Sequence, residues 1–261
     1  MECQENHEPL ISKILERRNY LVRPPLANLD GIVFVISCAD PAPNRFVLDK
    51  LIAIADSKQI EPMIAFTKPD LQQAEELAGI YRSIGIRVCM VNNLTGEGAE
   101  PVREFINGRV TAFIGNSGVG KSSILNALDP RFSLAVGEVS KALGRGRHTT
   151  RHVEMFSVEE NTWVIDTPGF SSFDTEELSL ELQAHLPETF PEFLPYLGQC
   201  RFVGCRHIKE KGCAVREAVK DGKIVKGRHE SYCRLYDELK DLREWNAGTE
   251  GRGKRGPGNQ K

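Results

Sequence analysis

No stretch of this chain stays apolar for long. The longest run, Ile32 to Ala39, falls well short of the roughly 20 residues a membrane-crossing helix needs. The first residues, MECQENHEPL, lack a basic start followed by an apolar core, so neither a secretory leader nor a membrane partner is expected. An excess of charge is also missing. The 34 Lys and Arg against 36 Asp and Glu leave a net charge of −2, so the whole chain does not read as a polyelectrolyte binder. The seven cysteines lack the even, regular spacing of a small secreted disulfide scaffold. Cys3, Cys38, Cys89 and Cys233 are scattered, whereas Cys200, Cys205 and Cys213 fall close together. A reducing, cytoplasmic setting is therefore expected, with the clustered trio left for metal. No internal repeat is visible. The 261 residues, 40% hydrophobic and 27% charged, are enough for one or two ordinary domains with a real core.

What is present is an alternation. IVFVISCA, EPMIAFT, IRVCMVN, RVTAFIG and WVID are short β-branched or apolar runs suited to buried strands. Between them, residues 44–58, 70–84 and 99–107 and the stretch KSSILNALD carry apolar positions at helical spacing. Strand and helix in turn predict an α/β fold, a parallel sheet flanked by helices. Before it, residues 1–29 read as a short strand and a Pro-Pro connector. After about residue 172 the alternation stops. Residues 173–199 hold six acidic residues and no Lys or Arg, and residues 200–234 reverse this with ten Lys and Arg against four Asp and Glu. That shift predicts a second, mainly helical domain over 173–245, closed by an amphipathic helix at 228–245. The tail 246–261 is Gly-rich and basic and reads as disordered.

Three motifs carry chemistry. Gly115-Asn116-Ser117-Gly118-Val119-Gly120-Lys121-Ser122 matches G-x-x-x-x-G-K-[ST], with a strand before it and a helix after. Its glycines let backbone N–H groups close around phosphate oxygens at a helix N-terminus. Lys121 is expected on the β- and γ-phosphates, and the Ser122 hydroxyl, followed by Ser123, on magnesium. Asp166-Thr167-Pro168-Gly169 follows a buried strand. Asp166 there can hold magnesium through water, and the Gly169 N–H can sense a γ-phosphate. Thr67-Lys68-Pro69-Asp70 closes another apolar strand. The Asp70 carboxylate can accept from guanine N1–H and the exocyclic amino group, a donor pair that adenine lacks. The Lys68 stem can lie over the base.

Cys200, Cys205, His207 and Cys213 form C-x4-C-x-H-x5-C. Three thiolates and an imidazole suit one closed, tetrahedral, structural zinc ion, with no position left for water. The basic surroundings favour phosphate backbones.

The order of these motifs is unusual. TKPD comes first, then VNNLTGEG, GNSGVGKS, GRGRHTT and DTPG. That order resembles the circularly permuted GTPases. With GRGRHTT and CRFVGCRHIKEKGC added, the chain is similar to the ribosome small-subunit-dependent GTPase family, RsgA, from about Ile14 to Leu239. The resemblance implies a circularly permuted phosphate-loop GTPase domain over 30–172 followed by a zinc-binding domain. It also implies GTP hydrolysis in late maturation of the small ribosomal subunit, contact with its rRNA, and magnesium with bound GTP or GDP. A monomer is expected. Family members carry an N-terminal OB-fold, of which 1–29 reads as a remnant. Thr67 stands where many GTPases have Asn, so a weaker tether of the phosphate loop is expected. Asn92-Asn93 stand at the usual Ser-Ala position, where backbone makes most of the contact to the base.

In many GTPases a Gln after the Gly of DxxG orients the attacking water; here that position is Phe170. A slow intrinsic rate is expected. Thr149 or Thr150 would close over magnesium and γ-phosphate, and His148 is the candidate for positioning water, beside Lys121. The DTPG segment leads straight into the second domain, so its ordering is expected to reposition that domain. The alternative to a GTPase is a nucleotide-dependent RNA-binding module with little turnover.

Overall fold

The computed structural model describes residues 13–71, 74–129, 153–167 and 180–250. A small hairpin, β1 (Tyr20–Leu21) and β2 (Leu26–Ala27), turns through Arg23-Pro24-Pro25. Asn19 pins it to the sheet, its side chain exchanging two 2.9 Å hydrogen bonds with the Leu29 backbone.

The strands β3 (Gly31–Ser37), β4 (Glu61–Thr67), β5 (Arg87–Val91), β6 (Val110–Ile114), β7 (Glu154–Glu159) and β8 (Thr162–Asp166) form one sheet in the order β5-β4-β3-β6-β8-β7. All neighbours are parallel except β7 and β8. The period of two in the central strands explains why both faces are buried. In β3, Ile32 and Phe34 join one apolar cluster while Val33 and Val35 join the other. Ile64 and Phe66 of β4 likewise oppose Met63 and Ala65.

The helices follow the alternation: α1 (Arg45–Ser57), α2 (Glu75–Ser83), α3 (Glu100–Ile106) and α4 (Lys121–Leu128). Helix α1 starts where the Asn44 side chain accepts from the Val47 N–H, satisfying one of the free donors of the first turn. Its Leu48, Ile52 and Ala55 bury against the Ile32 face of the sheet. The segment 70–84, expected as helix, enters α2 only at Glu75.

Two elements differ from expectation. Strand β7 is antiparallel at the sheet edge and carries only a weak apolar signal, because among its residues only Val158 is buried and Phe156 half-buried. The last helix, α7 (Lys226–Glu250), is preceded by α5 (Leu180–Ala184), 3-10 turns at Leu186–Thr189 and Pro191–Tyr196, and α6 (Ala214–Lys220). It starts two residues before the expected 228 and runs through 246–250, which had read as tail. Residues 251–261 lie outside the described residues.

The helical region from 182 onward shares a core with the sheet. Leu186, Phe190, Phe193, Val215, Tyr232 and Leu235 belong to the same apolar cluster as Phe34 and Ile52. A buried ion network crosses this seam. The Arg228 guanidinium donates to Asp49 of α1 at 2.6 Å and to both oxygens of Glu192, at 2.7 and 3.1 Å. Tyr81 of α2 donates to the same Asp49 oxygen at 2.7 Å, and the Arg228 Cζ lies over the Phe190 ring, 4.6 Å from the ring centroid. Burial works against the charged Arg228, but Glu192 and Asp49 outweigh it and hold its proton more tightly than usual.

Because the pair is only 1% exposed on either side, removing one partner strands a charge. Arg228→Ala is expected to destabilise the fold by about 3–5 kcal/mol, whereas replacing Arg228, Asp49 and Glu192 together by apolar residues of similar volume should recover most of it. Urea unfolding of the two proteins checks this.

Candidate functional site

The strand order reverses between β3 and β6. From β3 the chain moves through α1 to β4 on one side, while β6 lies on the other and leads into α4. Loops leaving the carboxyl ends of such a pair diverge and open a crevice. The phosphate loop, Gly115 to Gly120, lies there.

Its geometry depends on close backbone approach. A Cβ on Gly115 would sit 2.3 Å from the Val35 carbonyl oxygen of β3. Gly120 caps α4 at φ 104, a region that L side chains rarely adopt, and a Cβ there would lie 2.0 Å from Asn93 Nδ2. Gly118 is also left-handed, at φ 77. Asn116 and Ser117 lie on the exposed turn, Val119 is buried, and Ser122 and Ser123 are half-buried in the first turn of α4. Lys121 curls back over the loop and donates to the carbonyls of Gly115 and Asn116, at 2.6 and 3.0 Å. Burial lowers its pKa while Asp166 pulls the other way. Burial raises the Asp166 pKa, opposed by the Lys121 charge.

Asp166 ends β8, and its Oδ1 is buried without a hydrogen-bond partner. A buried lone pair facing the phosphate loop suits a magnesium-bound water, so this residue and Ser122 fit that ion. Thr167 fixes the strand end by donating to the Phe113 carbonyl at 2.7 Å.

Strands β4 and β5 end in register, Thr67 opposite Val91. The loops 68–71 and 92–98 therefore leave the sheet side by side. The Thr67 hydroxyl, fully buried, lies 2.5 Å from the Val119 carbonyl of the phosphate loop and 3.3 Å from the Ile36 carbonyl. The loop comes close enough for the short Thr67 side chain to reach it. Lys68 is left-handed at φ 56, and its ammonium donates to the Asp40 carbonyl at 2.7 Å. Asp70 is exposed at the mouth, near enough for its charge to add to burial in raising the Cys38 thiol pKa. Asn92 organises the second loop, its Oδ1 accepting from the Leu94 and Thr95 N–H groups.

Cys200, Cys205, His207 and Cys213 come together on the knuckle before α6, their ligand atoms all within 4.8 Å of one another. Cys200 Sγ lies 3.5 Å from His207 Nδ1 and 3.8 Å from Cys213 Sγ, and His207 Nδ1 lies 3.4 Å from Cys213 Sγ. A tetrahedral ion with bonds of about 2.3 Å to sulfur and 2.0–2.1 Å to nitrogen requires edges of about 3.5–3.8 Å. The donor set therefore fits a four-coordinate metal. Burial and the adjacent thiols push Cys205 up to about 12, a cost that a bound cation removes. His229 of α7 contacts the His207 carbonyl at 2.7 Å and steadies the knuckle from outside. This role was not visible in the sequence. His148, Thr149, Thr150 and Gly169, with Phe170, lie outside the described residues. No helix among the described residues is long and apolar enough to cross a membrane.

A phosphate loop at the switch point, an Asp at the end of the adjoining strand and a Thr-Lys-x-Asp loop tied to it define a phosphate-loop GTPase. Its base-recognition strands precede its phosphate-loop strand in the chain, so it is circularly permuted. The RsgA GTPase family model matches residues 14–176. The small ribosomal subunit biogenesis GTPase RsgA of Geobacillus sp. (strain WCH70) is 42% identical over 240 residues, which cover 90% of this chain and 80% of that protein. The protein of the same name from Agathobacter rectalis is 39% identical over 245 residues, 93% of this chain and 80% of that one. The crystal structure of YloQ, described as a circularly permuted GTPase, superposes with a TM-score of 0.74 at 32% identity, covering 92% of this chain and 78% of that chain. YjeQ from Thermotoga maritima gives 0.68 at 29%, with 87% and 77% covered. This chain belongs to the RsgA GTPase family.

Thr67→Val keeps the shape but removes the donor, leaving the buried Val119 carbonyl without it. GDP affinity is expected to fall about ten-fold, or about 1.4 kcal/mol, with little change in the far-ultraviolet circular dichroism. Isothermal titration of GDP into both proteins reads this directly.

Proposed function

We propose that this chain binds GTP and hydrolyses it to GDP and phosphate during late maturation of the small ribosomal subunit, and that the subunit stimulates the reaction. The observation that carries the reading is the convergence of three loops. Thr67 of the base loop bonds to the phosphate loop, Asn93 of the neighbouring loop packs on Gly120, and Asp166 closes the phosphate side. A nucleotide held there meets the Asp70 carboxylate with its base and the phosphate-loop N–H groups with its phosphates.

Each residue then has a task. Asp70 selects guanine, and Lys68 and the backbone of Asn92 and Asn93 flank the base. Gly115, Asn116, Ser117, Gly118, Val119 and Gly120 wrap the β-phosphate, with Ser123 below. Lys121 exchanges its two carbonyl partners for β- and γ-phosphate oxygens. Ser122, Thr150 and, through water, Asp166 hold magnesium, which when bound neutralises charge on the phosphates. Gly169 senses the γ-phosphate. Thr149 and Thr150 close over it, and His148 positions the attacking water. With Phe170 in the usual Gln place, the unstimulated rate is slow.

The knuckle of Cys200, Cys205, His207 and Cys213 holds one structural zinc ion per chain. It organises the basic surface of the second domain, 173–245, toward rRNA, while 30–172 forms the GTPase domain and 1–29 the connector. The protein works as a cytoplasmic monomer.

Purified protein is expected to release phosphate slowly from GTP, and much faster with small ribosomal subunits than with large ones. Tight GTP binding without stimulation would favour the RNA-binding module with little turnover. His148→Ala should lower the stimulated rate at least ten-fold with GDP affinity intact, a loss in the range a positioned proton acceptor supplies. Inductively coupled plasma analysis should find one zinc per chain, lost in Cys205→Ser.

A further inference from the structure

Most backbone N–H groups of the loop 92–98 are bonded within the loop. The Asn92 N–H bonds to the Glu97 carbonyl, and the Gly96 N–H to the Asn92 carbonyl. The Leu94 and Thr95 N–H groups are taken by Asn92 Oδ1, and the Glu97 N–H by Thr95 Oγ1. Asn93 is the exception at the end facing the phosphate loop. Neither its backbone N–H nor its side-chain amide makes a hydrogen bond among the described residues, and its Oδ1 is buried without a partner. The amide lies against the phosphate loop, so close that a Cβ on Gly120 would stand 2.0 Å from Nδ2 and 3.0 Å from Oδ1. Oδ1 is buried, and Nδ2 is the amide atom that lies nearer Gly120 and is free to donate to a ligand.

Guanine presents two kinds of group on the edge that Asp70 reads. N1–H and the exocyclic amine are donors, which a carboxylate satisfies. The 6-oxo group beside them is an acceptor and needs a donor. The loops that carry Asp70 and Asn93 leave the sheet side by side, since Thr67 and Val91 are register partners. We propose that the Asn93 side chain is a specificity residue of the nucleotide site, its Nδ2 donating to the 6-oxo group of guanine in addition to any backbone contact. The proposal rests on the guanine reading above and adds a side chain at a position where backbone is expected to make most of the contact. The amide also explains the fit at Gly120: a residue with a Cβ there would drive Nδ2 out of line. An adenine amino group at the same place would meet a donor with a donor, so the contact discriminates as well as binds.

The test compares two diphosphates, GDP and 2-aminopurine riboside 5′-diphosphate, which keeps the 2-amino group and lacks the 6-oxo group. Affinities are measured on the full chain with magnesium. The loss of N1–H in the analogue affects Asp70 alike in wild type and variant and cancels in the ratio. In Asn93→Ala the preference for GDP over the analogue is expected to shrink about three- to ten-fold, the worth of one neutral hydrogen bond. Asn93→Asp, which sets a carboxylate against the carbonyl, should lower GDP affinity roughly ten-fold further. An unchanged ratio overturns the proposal, whether both ligands weaken equally because the amide only packs on Gly120, or neither weakens because backbone makes the contact alone. Asp70→Asn, titrated with xanthosine diphosphate, tests the parent reading separately. If that variant fails to gain xanthine, the carboxylate does not read the base, whatever Asn93 does.

Discussion

Strand β3 hydrogen-bonds to β4 on one side and β6 on the other, and most of what this molecule can do depends on that position. The reversal at β3 opens the crevice into which the phosphate loop descends. It also explains why chain order matters so little. A sheet is held by neighbouring strands, and a site by the loops at their ends. Cutting the chain elsewhere and joining old termini leaves both unchanged, provided that each strand keeps its neighbours. The price appears only in close tolerances: Gly115 has no room for a side chain because the Val35 carbonyl lies 2.3 Å from where a Cβ would be.

Much of this was legible in the residues. The period of two in buried strands, the helical spacing between them and the loop G-x-x-x-x-G-K-S all reflect local constraints that a sequence must satisfy wherever the chain begins. The Cys and His of the knuckle were equally plain, because a metal demands several ligands and few other uses cluster them. What stayed hidden was set by tertiary context. Strand β7 buries only Val158 and half-buries Phe156, while its Met155 is exposed, so its period of two is too short to stand out. The Thr67 tether depends on how near the phosphate loop approaches, a distance that no spacing encodes. The Asn93 amide becomes notable only because its neighbours' donors are already committed. Asp49 and Arg228 are separated by 179 positions, and each alone reads as a surface charge on an amphipathic helix.

That last pair changes the view of how the two halves communicate. The segment after Asp166 was expected to be the link, since it leads directly into the second domain. The described structure shows a second link that does not pass through it. Helix α7 meets α1 along its length: Arg228 on Asp49, Arg234 over the Phe46 ring at 3.7 Å, and Lys50 bonded to Glu238 at 2.9 Å. Two of these contacts are partly exposed and contribute little. The buried one is costly to break, because separating it would leave charges without water or partner.

Helix α1 is in turn joined to the base side of the nucleotide site. It begins directly after the loop that follows β3, and that loop's Asp40 carbonyl takes the Lys68 ammonium. Tyr81, on the helix that follows the Thr-Lys-x-Asp loop, donates to the same Asp49 oxygen as Arg228. The helix after the Thr-Lys-x-Asp loop and helix α7, beyond the Cys-His knuckle, therefore share one buried carboxylate. An arrangement of this kind transmits displacement only if it moves as a unit, since its members cannot part without desolvated charges losing their partners. The sheet side that carries the Thr-Lys-x-Asp loop thus has a buried connection to the helical region, through Asp49, that does not run through the segment following Asp166.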